Sequence, residues 1–482
     1  MGSRPFLMNA SRQSDFLPPV FDWQSGQIRF SLSAGNDETH EWSVVVCGDW
    51  APLEQLPALM SDPPGFYGDL LPIMQETDLA VVNLESVLTD DGLQPIMKDG
   101  IAIQLPTCAI AGLSIVPFHL ACLANNHIFD YGAEGLIKTQ ELLERHHIRS
   151  VGAGLCAEEA ERARFLQFGN TRLAVVNVAE GEEARSLNGG PGAASLDLSR
   201  LRAQLSSLRA QADVLVVVVH AGREYLPVPS PYIRTIYRSL VDAGADLVVG
   251  HHPHVPQGIE LHNGTPIAYS LGNFALWMRA TVEYRRLGYF LKARFRGSEL
   301  HVLEIWPYRI GLDGLSLLVG EQLAGFLLEL EELSALIADD DRLADVWDAY
   351  ADSWLVSLGM QELADSIALL AGEALLVQSA LKASLNRFDG DGFAHRLARR
   401  VIWQGINWVG RRVRSERPPA EPGRLTQMRR GASILRNRFD TWAHRELYLA
   451  ALRRVMDGKL GRAPGWASKL LSDWETFWMN DK

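Results

Sequence analysis

Residues 246–255, DLVVGHHPHV, place His251, His252 and His254 within four positions, where a short apolar run ends. Imidazoles gathered this closely, after Gly250 and around Pro253, form a donor set for a metal ion or a phosphate. If 252–254 is extended, His252 and His254 point to one side of the backbone, as two ligands of one centre require. His251 then points away and is not expected to be a ligand. Four other apolar runs end in groups of the same kind. VVVCGDW ends at Asp49, and AVVNLES at Asn83 and Glu85. ACLANNHIFDYG delivers Asn125, Asn126, His127 and Asp130, and VVVVHAGREY delivers His220 with Glu224 just beyond. Carboxylates, amides and imidazoles in one place suit one or two divalent cations, because a single carboxylate can bridge two ions. Mixed nitrogen and oxygen donors favour Mn, Fe or Zn over Mg or Ca.

Short apolar runs alternating with helical patterns must carry these residues. Strands are expected at SVVVCGD, DLAVVNLE, IVPFHLACLANNH, RLAVVNVAE, DVLVVVVH and DLVVGHHPH. Helices are expected at AEGLIKTQELLERHHI, LSRLRAQLSSLRAQA and YIRTIYRSLVDAG, where apolar residues recur at helical spacing. This alternation predicts an α/β fold with helices over a largely parallel sheet. TPIAYSLGNF, GYFLKARF and LHVLEIWP add strands without full helices between them and make the sheet mixed. Ligands in such folds gather outside the carboxyl ends of the strands, where the polar clusters fall. Residues 1–42 read as a polar N-terminal arm. Past about 310 the pattern is helical to the end, with a turn or linker at 417–423 (RPPAEPG), which gives divisions at 1–42, 43–310 and 311–482.

The 482 residues are 47% hydrophobic, enough for more than one domain with sizeable cores. A net charge of −12 argues against nucleic acid as a partner of the whole chain. The charge is uneven. Residues 319–375 are strongly acidic, whereas from 396 onward Lys and Arg exceed Asp and Glu by eleven. Within that basic part, 396–414 (RLARRVIWQGINWVGRRVR) sets Ile402, Ile406, Val409 and Val413 on one stripe, with Trp403 and Trp408 between arginine clusters. Such a helix either packs on its neighbours, its arginines facing the acidic region, or makes peripheral contact with an anionic membrane. The four cysteines form no C-x-x-C pair, and no signal peptide or spanning segment is read, so the expected location is cytoplasmic, with membrane association left to 396–414.

Together GDW, NLESVLTD, LANNHIFDYG, HAGREY, GADLVVGHHPHV and PIAYSLGNF resemble the CapA-type family of bacterial capsule and poly-γ-glutamate biosynthesis proteins, over about 43–310. That family is similar to the calcineurin-like metallophosphoesterases, so the resemblance implies a metallophosphatase-like sandwich of mixed β-sheets flanked by helices, followed by an all-α C-terminal region. It implies metal ligation by Asp49, Glu85, Asn126, His220, His252 and His254, with Glu85 as the bridging carboxylate. It makes His127 the acid that assists the leaving group, with Asp130 as its orienting partner. Asn83, Lys98 and Glu224 are then candidates for substrate contact. Two departures stand out. The wider superfamily opens with Asp-x-His, but here Trp50 and Ala51 follow Asp49; its second motif is Gly-Asp, but here Glu85 follows Asn83 and Leu84. The expected chemistry is metal-dependent hydrolysis of an anionic substrate, a phosphoester first. The alternatives are amide hydrolysis or transfer on a γ-glutamyl polymer, and a non-catalytic part in polymer assembly or export.

Overall fold

The computed structural model describes residues 18–32, 40–90, 92–98, 100–180, 189–277, 283–354 and 442–475. The basic stretch 396–414 and the turn at 417–423 lie outside the described residues.

Two β-sheets face each other, each covered by helices on its outer side. The larger runs in the order Val20–Asp22, Gln27–Arg29, Glu299–Ile310, Leu287–Arg296, Glu41–Trp50, Leu79–Leu84, Leu120–Cys122, Arg149–Val151. Asn273–Ala275 joins it beside Glu41–Trp50, and Leu315–Leu317 beside Glu299–Ile310. The second sheet runs Arg164–Phe168, Thr171–Ala179, Val214–His220, Leu247–His251, Thr265–Ala268, Ile259–His262. Both sheets are mixed, and the strands ending in the polar clusters pair in parallel within their own sheets.

The two-residue alternation of a strand explains the layers. Val44, Val46, Leu79 and Val81 face Leu173, Val175, Val216, Val218 and Val249 across the space between the sheets. Their neighbours Val176, Val178, Val217, Val219 and Val248 point the other way, under helices Leu198–Leu208 and Pro231–Asp242. On the outer face of the larger sheet, Val45, Cys47, Ala80 and Val82 meet Leu59, Tyr67, Leu70, Leu113 and Leu136. The expected α/β sandwich is present, but donors read along one sheet come from two.

Two sequence divisions look different in three dimensions. Within the arm read over 1–42, Val20–Asp22 and Gln27–Arg29 form a hairpin that extends the larger sheet. Strand pairing also continues past 310, to Leu317. Beyond it, helices Gly320–Ala338, Asp340–Trp354, Trp442–Met456 and Gly465–Glu475 contribute Leu333, Trp347, Trp354, Leu447 and Leu471 to the core over the second sheet.

Candidate metal centre

The polar cluster lies where the carboxyl ends of both sheets meet. In the larger sheet, register sets Asp49 between Asn83 on one side and Asn273 on the other. In the second sheet, His220 pairs with His251. A register shift between Val46 and Asp49 turns the carboxylate inward. Val44 and Val46 face the second sheet, so strict alternation would send Asp49 outward; the bulge reverses this and sends Trp50 outward instead. The Trp50 indole donates to the Tyr67 hydroxyl at 2.9 Å within the helix layer. Neither residue after Asp49 gives the cluster a donor: the Trp50 indole is bonded within the helix layer, and Ala51 carries only a methyl group.

Glycines let the strand ends close in. A Cβ on Gly48 would lie 2.1 Å from the Gly272 carbonyl oxygen, and one on Gly250 would lie 2.0 Å from that of Tyr269. Beyond Gly250 the chain leaves the strand at His251 and does not stay extended, which corrects the expected His-x-His geometry. His252 has φ 94° and His254 φ 58°. With Tyr225 at 61°, three of the five non-glycine residues with positive φ among the described residues line this site. Side chains held this way concentrate where function over-determines the backbone.

Asp49 is fully buried and accepts from Asn83 Nδ2 at 2.8 Å. Its Oδ2 lies 3.3 Å from His254 Nδ1, and its Oδ1 lies 3.0 Å from His251 Nδ1, close but without hydrogen-bond geometry. Burial works against the charge on Asp49, but the His251 and His254 rings prevail and hold its carboxyl well below the usual range. Glu85 behaves in the opposite way. Burial, joined by the Asp49 and Glu224 carboxylates, pushes it well above the usual range. Both Glu85 oxygens are buried and accept no hydrogen bond among the described residues. His254 Nδ1 is 2.8 Å from Asn273 Oδ1, which leaves Nε2, 3.8 Å from Glu85 Oε1, as the ligating nitrogen. Burial disfavours the imidazolium of His254, but Glu85 and Asp49 outweigh it and raise the ring to about 10.

His220 sits between the two sheets' contributions. Its Nε2 is 2.9 Å from Asn126 Oδ1, 3.1 Å from His252 Nδ1 and 3.4 Å from Glu85 Oε1. Burial, with His252 beside it, pushes its pKa well below the imidazole range. Because the Asn83 amide donates to Asp49, it also donates to His220 Nδ1, 3.2 Å away. The neutral ring then carries its proton on Nε2, so a cation that took His220 through this nitrogen would have to displace it.

A second cluster adjoins the first. His127 Nδ1 lies 2.7 Å from Asp130 Oδ2, which also accepts from the Ile103 amide at 2.7 Å. Lys98 Nζ donates to Asp130 Oδ1 at 2.7 Å and to the Asn126 carbonyl at 2.8 Å. Asn125 shapes the turn: its Oδ1 accepts from the His127 and Ile128 amides, and its Nδ2 donates to the Leu84 carbonyl.

The metal-type residues read from sequence thus converge. Glu85, His252 and His254 offer ligand atoms within 4.8 Å of one another and form a group that could hold a metal ion. The donors fit a cation: an unbonded buried carboxylate facing imidazole nitrogens is costly unless a positive charge joins them. Asp49, Asn126 and His220 surround this group. Asn83, read as a substrate contact, is an interior brace between Asp49 and His220. Lys98, read the same way, has its ammonium engaged with Asp130. Glu224 is close enough for its charge to act on Glu85 and His254. Sequence reasoning gave Asn273 no role, and it read His251 as pointing away, whereas the His251 ring is buried against Asp49, outside the Glu85, His252 and His254 group. The signal for Asn273 was its place in SLGNF at a strand start, but only pairing with Asp49 gives it meaning.

The site is thus a buried carboxylate–imidazole cluster at the joined ends of a two-sheet α/β sandwich, with a group that could hold a metal ion. The profile of the bacterial capsule synthesis protein family PGA_cap matches residues 43–276. The PGA biosynthesis protein CapA of Bacillus subtilis (strain 168) is 30% identical over 254 residues, covering 51% of this chain and 67% of that protein. The capsule biosynthesis protein CapA of Bacillus anthracis is 34% identical over 202 residues, 40% of this chain and 48% of that protein. This chain belongs to the CapA-type capsule synthesis family. It spans two thirds of the first relative's length and about half of the second's. Among solved structures, a 5'-nucleotidase precursor from Thermus thermophilus aligns with TM-score 0.36 at 15% identity, over 62% of this chain and 60% of that one. A phosphatase from Mycoplasma pneumoniae aligns with TM-score 0.37 at 11% identity, over 56% of this chain and 93% of that one.

Proposed function

We propose that the chain is a metal-dependent hydrolase of an anionic substrate, a phosphoester in the first instance. The observation that carries this reading is Glu85: a fully buried carboxylate whose oxygens accept no hydrogen bond among the described residues, facing His252 and His254, with a carboxylate-oriented histidine alongside. Glu85, His252 and His254 would hold the ion, with Asp49, Asn126 and His220 as the further donors. Nitrogen and oxygen donors together favour Mn, Fe or Zn. The chemistry a bound divalent cation supplies is Lewis acidity, which polarises a phosphoryl or carbonyl oxygen and makes water a better nucleophile.

The chain's own residues supply the rest. Asp130 holds the Nδ1 proton of His127, so in the imidazolium the Nε2 proton is the one free to pass to a leaving oxygen. Lys98 and the Ile103 amide also donate to Asp130 and fix that carboxylate in place. Asn83 and Asn273 lock Asp49 and His254 in orientation from either side.

Metal analysis of the purified chain, with turnover of a generic phosphoester, tests this reading. His127→Ala is expected to keep its metal content and lose roughly 10²–10⁴-fold in turnover. Loss of metal from that variant would make His127 a ligand and overturn its role. A second reading, assembly or export of a capsule polymer without catalysis, draws on Ala51, which has no donor side chain and stands in the place of the histidine of Asp-x-His. Metal-loaded protein inert toward phosphoesters and γ-glutamyl amides alike would favour it. Turnover of the amide alone would shift the reaction to a γ-glutamyl polymer.

A further inference from the structure

The strand Thr171–Ala179 supplies no donor to the cluster, yet its run RLAVVNVAE holds one amide, Asn177, among apolar side chains. Strand alternation sends Leu173 and Val175 into the space between the sheets, and Asn177 follows them inward. It is buried, and both ends of its amide are bonded. Oδ1 accepts from the Ala124 amide at 2.7 Å, and Nδ2 donates to the Val218 carbonyl at 3.2 Å. Ala124 lies in the loop after Leu120–Cys122 of the larger sheet, and Val218 in the strand Val214–His220 of the second. Each stands two residues before a candidate donor, Asn126 in the first case and His220 in the second. Those donors meet in turn, Asn126 Oδ1 with His220 Nε2 at 2.9 Å. The carboxamide and the donor pair thus close a ring across the gap between the sheets. Gly152, at φ 93°, makes room for it: a Cβ there would lie 2.1 Å from Asn177 Oδ1 and 2.8 Å from the Ala124 nitrogen.

We propose that Asn177 is a positioning residue of the metal centre, which sets Asn126 of one sheet against His220 of the other through the backbone two residues ahead of each. Its part in a metal centre rests on the reading of Asn126 and His220 as donors. Packing alone does not call for an amide here. Valine fills the neighbouring inward position, and a buried amide gains little net stability from bonds that replace bonds to water. What the two bonds add is direction. Apolar packing holds the sheets together but is non-directional, so it does not fix one strand end against another to the roughly 0.5 Å that a ligand set needs. An amide N–H and a carbonyl bonded to the same rigid carboxamide are fixed in that way.

Asn177→Val in the full-length chain tests this beside Val175→Ala, an inward substitution on the same strand that costs stability but leaves the joint alone. Zn affinity is measured at a temperature where melting curves show each variant folded. Asn177→Val is expected to bind Zn roughly 10–100-fold more weakly than wild type, and Val175→Ala to bind it as wild type does. Asn177→Asp should recover part of the loss, because burial keeps its carboxyl neutral, able to accept from Ala124 and donate to Val218. The His220 ring gives a readout that needs no metal. In chain carrying isotope-labelled histidine, its magnetic resonance signal, assigned by its loss in His220→Gln, should shift in Asn177→Val and stay in place in Val175→Ala. Gly152→Ala presses a Cβ against the same carboxamide from outside and should shift the signal too, which keeps the test open if Asn177→Val does not fold. An unmoved His220 signal in these variants overturns the positioning role, as do equal losses of Zn affinity in Asn177→Val and Val175→Ala. A signal that moves in a chain that takes up no Zn upholds the role and sinks the metal reading instead.

Discussion

At the residue scale, the cluster is a contest between protons and a cation for the same lone pairs. Without a metal, burial pushes the Glu85 carboxyl well above its usual range, while the charges of Glu85 and Asp49 outweigh burial at His254 and hold its ring up to about 10, so the two groups compete for protons. Whatever protons the pair holds must leave before both can ligate. The sign follows directly: the raised His254 pKa means that at any pH below about 10 the ring begins protonated, so metal uptake releases protons and weakens as pH falls. Affinity for Zn or Mn should rise by up to about tenfold per pH unit between pH 6 and 9 for this one proton, and more steeply if Glu85 releases its own in the same window. Titration in buffers of different ionisation enthalpy counts the protons released. Uptake that is flat with pH would show that His254 is not a ligand. Glu85→Gln should lose most of the uptake and, with it, the metal-induced rise in melting temperature.

At the element scale, the site depends on strand ends packed closer than side chains allow. Gly48→Ala and Gly250→Ala each drive a Cβ to about 2 Å from a backbone carbonyl, of Gly272 and Tyr269 respectively. Neither oxygen can swing away as a flexible side chain would, so the strand ends must part. Each variant should lose roughly 1–3 kcal/mol or more of stability and, because Asp49 and His251 follow these glycines directly, should also lose metal affinity. Denaturant melts and metal analysis check this; a stable variant with normal metal content would contradict it. These glycines also mark the limit of what the chain reveals in one dimension. GDW and VVGHH announce strand ends, and the polar residues after them identify the donors. The strands themselves, such as VVVV at 216–219, are apolar on both faces and do not disclose that they fall into two sheets. The bulge that turns Asp49 inward leaves no mark either, since it depends on which strand lies beside Cys47 and Gly48. Asn273 was invisible for the same reason: its role is set by register with a residue 224 positions earlier.

At the scale of the whole molecule, the charge asymmetry along the chain is partly resolved by contact. Arg454, from the basic part, is buried and forms paired bonds to Asp352, Nε to Oδ1 and Nη2 to Oδ2, both at 2.6 Å, and a further bond to Asp348. Asp352 also accepts from the Gly461 amide at 3.0 Å. The same acidic helix, Asp340–Trp354, reaches the loop after Val214–His220, where Arg223 Nε donates to the Tyr350 hydroxyl at 3.0 Å. It also shares one apolar core with Val217, Val219 and Val248 of the second sheet. Helices that bury their residues in the sandwich's own core should unfold with it rather than as a separate unit. Arg454→Ala leaves Asp352 buried without its counter-charge, which costs roughly 3–5 kcal/mol. Calorimetry should therefore show the main transition itself moved down, by about 2–4 °C for each kcal/mol lost, still as one peak that includes the metal-induced shift. If instead a small transition splits off at low temperature while the metal-sensitive one stays in place, the helices form an independent domain and the shared core does not couple them to the site.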